Sequence, residues 1–467
     1  MKTKTQVKDI DQSLYDFTDE DRADLRVESG LSEDIVKEIS TEKNEPEWMR
    51  DFRLASLETF LHAPLPEWGP ALDELNMDEI VAYIRPRTQM RHDWDSVPEE
   101  VRATFTRLGI PQAEQESLAG VGAQYDSEVV YHHIQQKVAT LGVVYTDMST
   151  AVREYGEIVR DHFMHLVPPT DHAFAALHGA VWSGGSFVYV PAGVDVTIPL
   201  QSYYRQNAPG AGQFEHTLII VEKGSTLHFI EGCSAPRYNV TNLHAGCVEL
   251  YVGELAKVRF STIENWSRNM LNLSTKRARV ARGGIVEWVS GSFGSHVSML
   301  YPMSILAGEG ARAEYTGITF AGRGQILDTG TSVVHAAPNT SSTISTKSIS
   351  KDGGQSVYRG AVTILENAKN SKSSISCESL MLDSDSRSDT IPILDVRTDK
   401  ADVGHEARIG RISEETIFYL MSRGLSEEEA RAMIVRGFAE PITNALPLEY
   451  AVEMNNLIHL EMEGSIG

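Results

Sequence analysis

The runs Thr217-Leu218-Ile219-Ile220-Val221, Thr226-Leu227-His228-Phe229-Ile230 and Cys247-Val248-Glu249-Leu250-Tyr251-Val252 decide how this chain folds. Apolar and polar residues alternate along them, and a period of two buries one face of an extended strand. Ser186-Phe187-Val188-Tyr189-Val190 has the same character. Such runs, broken by Gly, Asn, Asp and Ser, recur roughly every 8 to 12 residues between about Val181 and Asp402. No helices alternate with them, which argues against a doubly wound sheet. A β-solenoid and a large β-sandwich both satisfy the pattern. The solenoid is preferred, because the turns are single glycines and polar clusters rather than tight Asn-Gly hairpins. The polar run Asn339-Thr340-Ser341-Ser342-Thr343 also suits stacked coils.

The chain has 467 residues, enough for one large core with helical additions or for two to three domains. No apolar run approaches the length of a membrane span, and the opening MKTKTQVKDIDQ lacks the apolar centre of a signal peptide. A cytoplasmic protein is the expectation. Three cysteines in so long a chain exclude a disulfide framework. With 65 Asp plus Glu against 42 Lys plus Arg, the net charge is -23. Nucleic acid is therefore a poor partner, since phosphate binding needs clustered cations.

Residues 1–179 read as an N-terminal helical region, 180–402 as the β core and 403–467 as a C-terminal helical domain. Ser32 caps an acidic first turn, Glu47 to Leu57 is amphipathic, and Met148 to Met164 reads as a further helix. Pro64 to Pro70 reads as a rigid extended linker. After Asp402, Ser413 opens one helix that ends at Arg423-Gly424. Ser426-Glu427-Glu428-Glu429 is a capping box opening a second, which is expected to end at Arg436-Gly437. A last helix spans about Pro447 to Glu463. This tail is either a cap for an open solenoid end or a docking surface.

Familiar catalytic signatures are missing. The sequence has no GxxxxGK[ST] phosphate loop, no GxGxxG after a strand, no GxSxG elbow and no HExxH helix. The candidates for chemistry are scattered instead. Cys233 in Glu231-Gly232-Cys233-Ser234-Ala235-Pro236 reads as an accessible thiol at a turn, with Arg237 and Arg205 favouring its thiolate. Cys247 reads as a small buried hydrophobe within a strand. Cys377, next to Glu378, reads equally as inert or functional. His405-Glu406 follows Gly404, which allows a sharp turn at a β-to-helix junction. A thiolate, an imidazole and a carboxylate are ligand types that hold iron, so Cys377 near His405 would matter. Without a CxxC spacing, a closed structural zinc site is not expected. Arg205-Gln206-Asn207, Glu264-Asn265-Trp266 and Thr275-Lys276-Arg277 are polar patches in strand territory. They are either a solvated outer face or a polar passage inside the coil.

Taken in order, several blocks resemble the SufB family, the scaffold subunits of the Suf iron–sulfur assembly system. They include Tyr204-Arg205-Gln206-Asn207, Gly212-Gln213-Phe214-Glu215, Glu231 to Pro236, Asn265-Trp266, Thr275-Lys276-Arg277, His405-Glu406-Ala407 and Met433 to Phe438. The resemblance covers nearly the whole chain. It implies a mainly β fold, a right-handed parallel β-helix between helical N- and C-terminal domains. It implies partners: the ATPase SufC, the paralogue SufD, and a cysteine desulfurase SufS working through a SufE- or SufU-type sulfur carrier. Cys233 is implied as the sulfur acceptor, with Arg205, Asn207, Glu264, Trp266 and Lys276 lining a sulfur passage. Cys377, His405 and Glu406 are implied to hold the nascent cluster and its iron at the SufD interface. Reduced FAD is implied as an electron source in the complex. Gly404 replaces a Glu and Glu264 a Gln found in some relatives. Two other readings compete. A carbohydrate-active β-helix enzyme would use a groove of carboxylates and aromatics. A SufD-type structural partner would lack the reactive residues, whereas both Cys233 and Cys377 are present.

Overall fold

The computed structural model describes residues 23–88, 90–107, 118–444 and 448–463. Its core is a β-solenoid of about eight turns with helices at both ends. One wall is built from Asp195–Arg205, Thr226–Ser234, Lys257–Asn265, Ile285–Phe293, Arg312–Ala321, Ser341–Ser350, Ser371–Met381 and Ala401–Arg411. Each is parallel to the next in that order. A 13-stranded sheet forms the facing wall. Stacked partners lie 28 residues apart (Arg259 and Glu287) or 31 apart (Ser342 and Ser373). The run at Asn339 is a ladder: Asn370 donates to Asn339, Thr340 meets Ser371, and Ser342 donates to Ser373.

Alternation along each strand sorts its residues between lumen and exterior. Leu227 and Phe229, Val258 and Phe260, and Val286 and Trp288 fill one half of the lumen and share a single core. Their rings stack from rung to rung, Phe229 on Phe260 at 5.6 Å and Phe260 against Trp288 at 5.5 Å. The outward residues Ile230, Ile263, Val289, Ile318 and Ile349 form a second core with Val435, Ile442, Met454 and Leu457 of the C-terminal helices. The tail therefore packs along the flank of the wall. The last strands, Arg387–Val396 and Ala401–Arg411, keep Ile393, Leu394, Val396 and Ile409 exposed.

Several local expectations shift. Gly120–Tyr125 and Glu128–Ile134 are strands that extend the solenoid wall, and Val144–Asp147 pairs with Gly185–Val190, all within the stretch read as helical. The antiparallel strands terminate the stack at its N-terminal end, which covers the edge there. The Met148 to Met164 helix is two short ones, Met148–Glu154 and Gly156–Arg160, parted at Tyr155. The capping box at Ser426 forms, but its helix continues past Gly437 to Thr443. Burial of Ala439 and Ile442 against the wall outweighs the glycine. Strand also replaces the expected helix from 403 to 411. Among the described residues no helix is long and apolar enough to cross a membrane.

The aromatic stack makes a direct prediction. Phe260→Ala removes the central ring of a fully buried column and lowers unfolding free energy by about 3–5 kcal/mol. Denaturant titration monitored by circular dichroism measures the loss; a change within error would show the lumen to be loosely packed.

Candidate functional site

The polar half of the lumen begins where the aromatic half stops. Glu231 and Cys233 follow Leu227 and Phe229 on the same face of their strand, so both side chains point inward. Parallel register then fixes what lies above and below. Cys233 sits between Tyr204 and Glu264, and Glu264 is followed by Ser292, Thr319, Ser348 and Ser379. The column through Glu231 runs Thr262, Ser290, Gly317, Thr346 and then Cys377. One register line thus joins the rung of Cys233 to Cys377, five strand spacings apart, about 24 Å at the usual 4.7–4.9 Å per spacing.

Lys276 enters the lumen from the facing wall. Its ammonium donates to Glu231 Oε1 at 2.5 Å and Thr262 Oγ1 at 3.0 Å, with Glu264 Oε1 at 3.7 Å. Burial by itself would lower the lysine, but Glu231, Glu264 and the Cys233 thiol raise it, so it stays charged. Glu264 also accepts from Asn272 at 2.9 Å. Asn272 meets His244, which meets Glu215 Oε1 at 2.6 Å and packs its ring 4.4 Å from Trp266. Despite burial, Glu215 keeps His244 above its ordinary value. A cavity of about 20 Å³, room for one water, lies between Thr262, Glu264, Lys276, Ser290, Ser292 and Thr319. Glu231 Oε2 and Trp266 Nε1 are buried without a hydrogen-bond partner among the described residues. Such orphans face water or a polar visitor in a space of this kind.

Cys233 differs from its reading as an exposed thiol at a turn. It is within the strand, 1% exposed, packed with Tyr204, Ala235, Trp266 and Met270. Burial pushes its thiol well above the ordinary value, and Glu231, Glu215 and Glu264 add to the rise; Lys276 opposes it. The expected arginine influence is not the deciding one. Arg205 donates to Ser234, and Arg237 is on the exposed segment beyond Pro236. That segment begins four residues after Cys233 in the chain. The patches weighed as solvated outer face are not solvated, since Arg205, Asn207, Glu264, Trp266 and Lys276 are all buried; Glu264 and Lys276 share the lumen, while Arg205 pairs with Ser234 on the other face of the wall. Asn207 is held through its backbone N–H to Asp126 and its carbonyl to Tyr238.

At the other end, Cys377 Sγ lies 3.4 Å from His405 Nε2, the two residues being 28 apart on the last pair of rungs. Gly404 does not turn the chain; it is mid-strand, and alternation alone turns His405 inward. The same alternation turns Glu406 the other way, where it is exposed and paired with Arg408. Burial raises the Cys377 thiol, with the neighbouring Thr346 hydroxyl opposing, and burial lowers His405, leaving a neutral imidazole. A soft sulfur and a free imidazole nitrogen at this separation suit one transition-metal ion. Sequence reading missed Glu231, Glu215, His244 and Thr346 as members of the lumen. The signal was present in parity, since Glu231 lies two residues before Cys233.

Comparison with known proteins bears on the whole chain rather than on single site residues. Residues 204–438 match the SUF system FeS cluster assembly, SufBD core domain, and residues 109–202 match the SufBD protein N-terminal region. The chain belongs to the SufBD family of iron–sulfur cluster assembly proteins. It is 52% identical over 459 residues to an iron-sulfur cluster assembly SufBD family protein of Staphylococcus aureus (strain MRSA252), covering 98% of this chain and 99% of that one. A Staphylococcus haemolyticus (strain JCSC1435) protein of the same description is similar to the same extent.

Removing the lumen cation has a calculable cost. Lys276→Ala leaves Glu231 and Glu264 buried without their counter-charge and destabilises the fold by about 3–5 kcal/mol. Adding Glu231→Gln to that variant recovers part of the loss. Urea unfolding of both variants checks this, and an unaltered midpoint in Lys276→Ala would refute the pairing.

Proposed function

We propose that this SufBD protein is the SufB-type subunit, the scaffold on which sulfur and iron are joined into a nascent cluster. The observation that carries the reading is the Cys377–His405 contact on the exposed last rungs, in register with the column that starts beside Cys233. A SufD-type partner without chemistry has no need of either end. A carbohydrate enzyme would use an open groove, whereas these carboxylates are sealed in the lumen.

In this reading the chain is not an enzyme. Cys233 attacks the outer sulfur of a donor persulfide, delivered from a cysteine desulfurase of SufS type through a SufE- or SufU-type carrier. Cys233 becomes a persulfide and the carrier thiolate leaves. The buried carboxylates take the thiol proton, and Lys276 stabilises the sulfur anion that results. Because Cys233 is covered, sulfur enters past Arg205 and Asn207, beneath the segment from Ala235 to Thr241. A two-electron reductant, the reduced flavin of the complex in this reading, then cleaves the S–S bond with two protons, returning the Cys233 thiol and releasing hydrosulfide, which moves along the polar columns to Cys377. Iron, the second substrate, is held there by Cys377 and His405. Glu406, facing away on the edge strand, joins them only if that edge rearranges. The exposed Ile393, Leu394, Val396 and Ile409 make this edge the face for a SufD-type paralogue. Phe418, Tyr419 and Met421, exposed on the C-terminal helices, are the contact for a SufC-type ATPase, which supplies the energy.

Anaerobic reconstitution tests the assignment. With its ATPase partner, Fe(II) and inorganic sulfide, the wild-type chain gains charge-transfer absorption that Cys377→Ala weakens. Cys233→Ala keeps that response to sulfide but loses it when desulfurase and cysteine are the only sulfur source. Unchanged reconstitution in both variants overturns the site.

A further inference from the structure

Cys247 was read as a small hydrophobe, but its surroundings are not those of one. It lies directly across from His216 on the adjoining strand, and His178 reaches both from the helix Ala173–Val181. All three side chains are buried, and one donor atom from each lies within 4.8 Å of the other two. His178 Nε2 is 3.0 Å from His216 Nδ1. His178 Nδ1 donates to the Ala245 carbonyl at 2.9 Å, whereas His216 Nε2, 3.3 Å from Glu249 Oε2, is buried without a hydrogen-bond partner among the described residues. Glu249 accepts from the backbone N–H groups of Met164, Leu166 and Val167.

The proton inventory of this group is informative. A carbonyl can only accept, so His178 carries its ring proton on Nδ1 and turns the lone pair of Nε2 toward His216 and Cys247. An imidazole lone pair, a second imidazole and a thiol thus share one dry site. An outward hydrogen bond to a carbonyl, as His178 makes, is the usual support of a metal-bound imidazole, and Glu249 lies beside the outer nitrogen of His216. For bonds of about 2.0–2.1 Å, tetrahedral ligand nitrogens are about 3.3 Å apart, a few tenths more than the spacing here.

We infer that His178, His216 and Cys247 form a binding site for a single thiophilic divalent metal ion of the zinc class, separate from Cys377 and His405. Thiolate and imidazole donors select such ions over magnesium or calcium. A divalent ion with the Cys247 thiolate and Glu249 is a neutral group, as a buried site requires. The absence of a CxxC spacing does not count against it, because the three ligands come from a helix and two stacked strands. The ion clamps the N-terminal helices to the first rungs of the solenoid.

Cobalt(II) titration of the chelator-stripped full-length chain provides the test, read by thiolate-to-cobalt charge transfer. One tight equivalent is expected in the wild type and in Cys377→Ser, displaced by Zn(II), and lost in Cys247→Ser. Glu249→Gln retains the band with affinity weaker by about 10–100-fold. If Cys247→Ser does not fold, alkylation of the wild-type chain in urea that opens both buried thiols decides: Zn(II) protects Cys247 and leaves Cys377 reactive. A band that survives Cys247→Ser but vanishes in Cys377→Ser overturns the site. Equal Cys247 alkylation with and without Zn(II) overturns it as well.

Discussion

Parallel strands stacked at about 4.8 Å force side chains in the same register into contact with their counterparts above and below. Everything in this molecule follows from that restriction. An apolar ring on one rung requires an apolar ring on the next, and the sequence supplies Phe229, Phe260 and Trp288. A carboxylate requires a partner that can tolerate or neutralise it. Glu231 and Glu264 find that partner in Lys276, which crosses from the opposite wall. The lumen is therefore divided lengthwise into a dry half that holds the coil together and a polar half that does not.

Burying charge on this scale is costly, and a solenoid does not need it for stability. Hydrophobic residues of similar size would pack the same space at lower cost. Further along, the polar half continues as hydroxyls rather than charges, through Thr262, Ser290 and Thr346 to Cys377. The charged part surrounds Cys233 alone. An environment that keeps this thiol protonated at rest, yet sets a lysine beside it, suits a sulfur atom that becomes anionic only after it has been loaded.

Much of the fold was legible because strands announce themselves locally. Alternation in Thr217 to Val221 and Thr226 to Ile230, with serine and asparagine ladders later, specifies stacked coils without reference to anything distant. Site membership was legible where spacing came close to the rung length, as for Cys377 and His405, 28 residues apart where register pairs Cys377 with Ala407, 30 apart. It failed where the facing wall contributes, since nothing local ties Lys276 to Glu231, 45 residues away. Glu406 was grouped with His405 because they are neighbours in sequence, yet neighbours on a strand face opposite ways. Cys233 reads as a thiol at a turn because a glycine precedes it and a small residue follows; the strand runs through that glycine to Ser234. Short strands such as Val144–Asp147 were hidden among helix-like neighbours, since a four-residue run carries too little periodicity.

The central claim is that sulfur travels inside the coil, from the thiol amid the buried carboxylates to the thiol at the exposed end. Heavy-isotope cysteine, supplied with a desulfurase, its carrier, Fe(II) and a two-electron reductant, allows label to be followed by mass spectrometry of the Cys233 peptide and of the acid-labile sulfide. Label should arrive first at Cys233 as persulfide, appear afterwards in acid-labile sulfide whose retention needs Cys377, and stall at Cys233 in Lys276→Met. Labelled cluster sulfide forming as fast in Cys233→Ala as in the wild type would contradict an interior route.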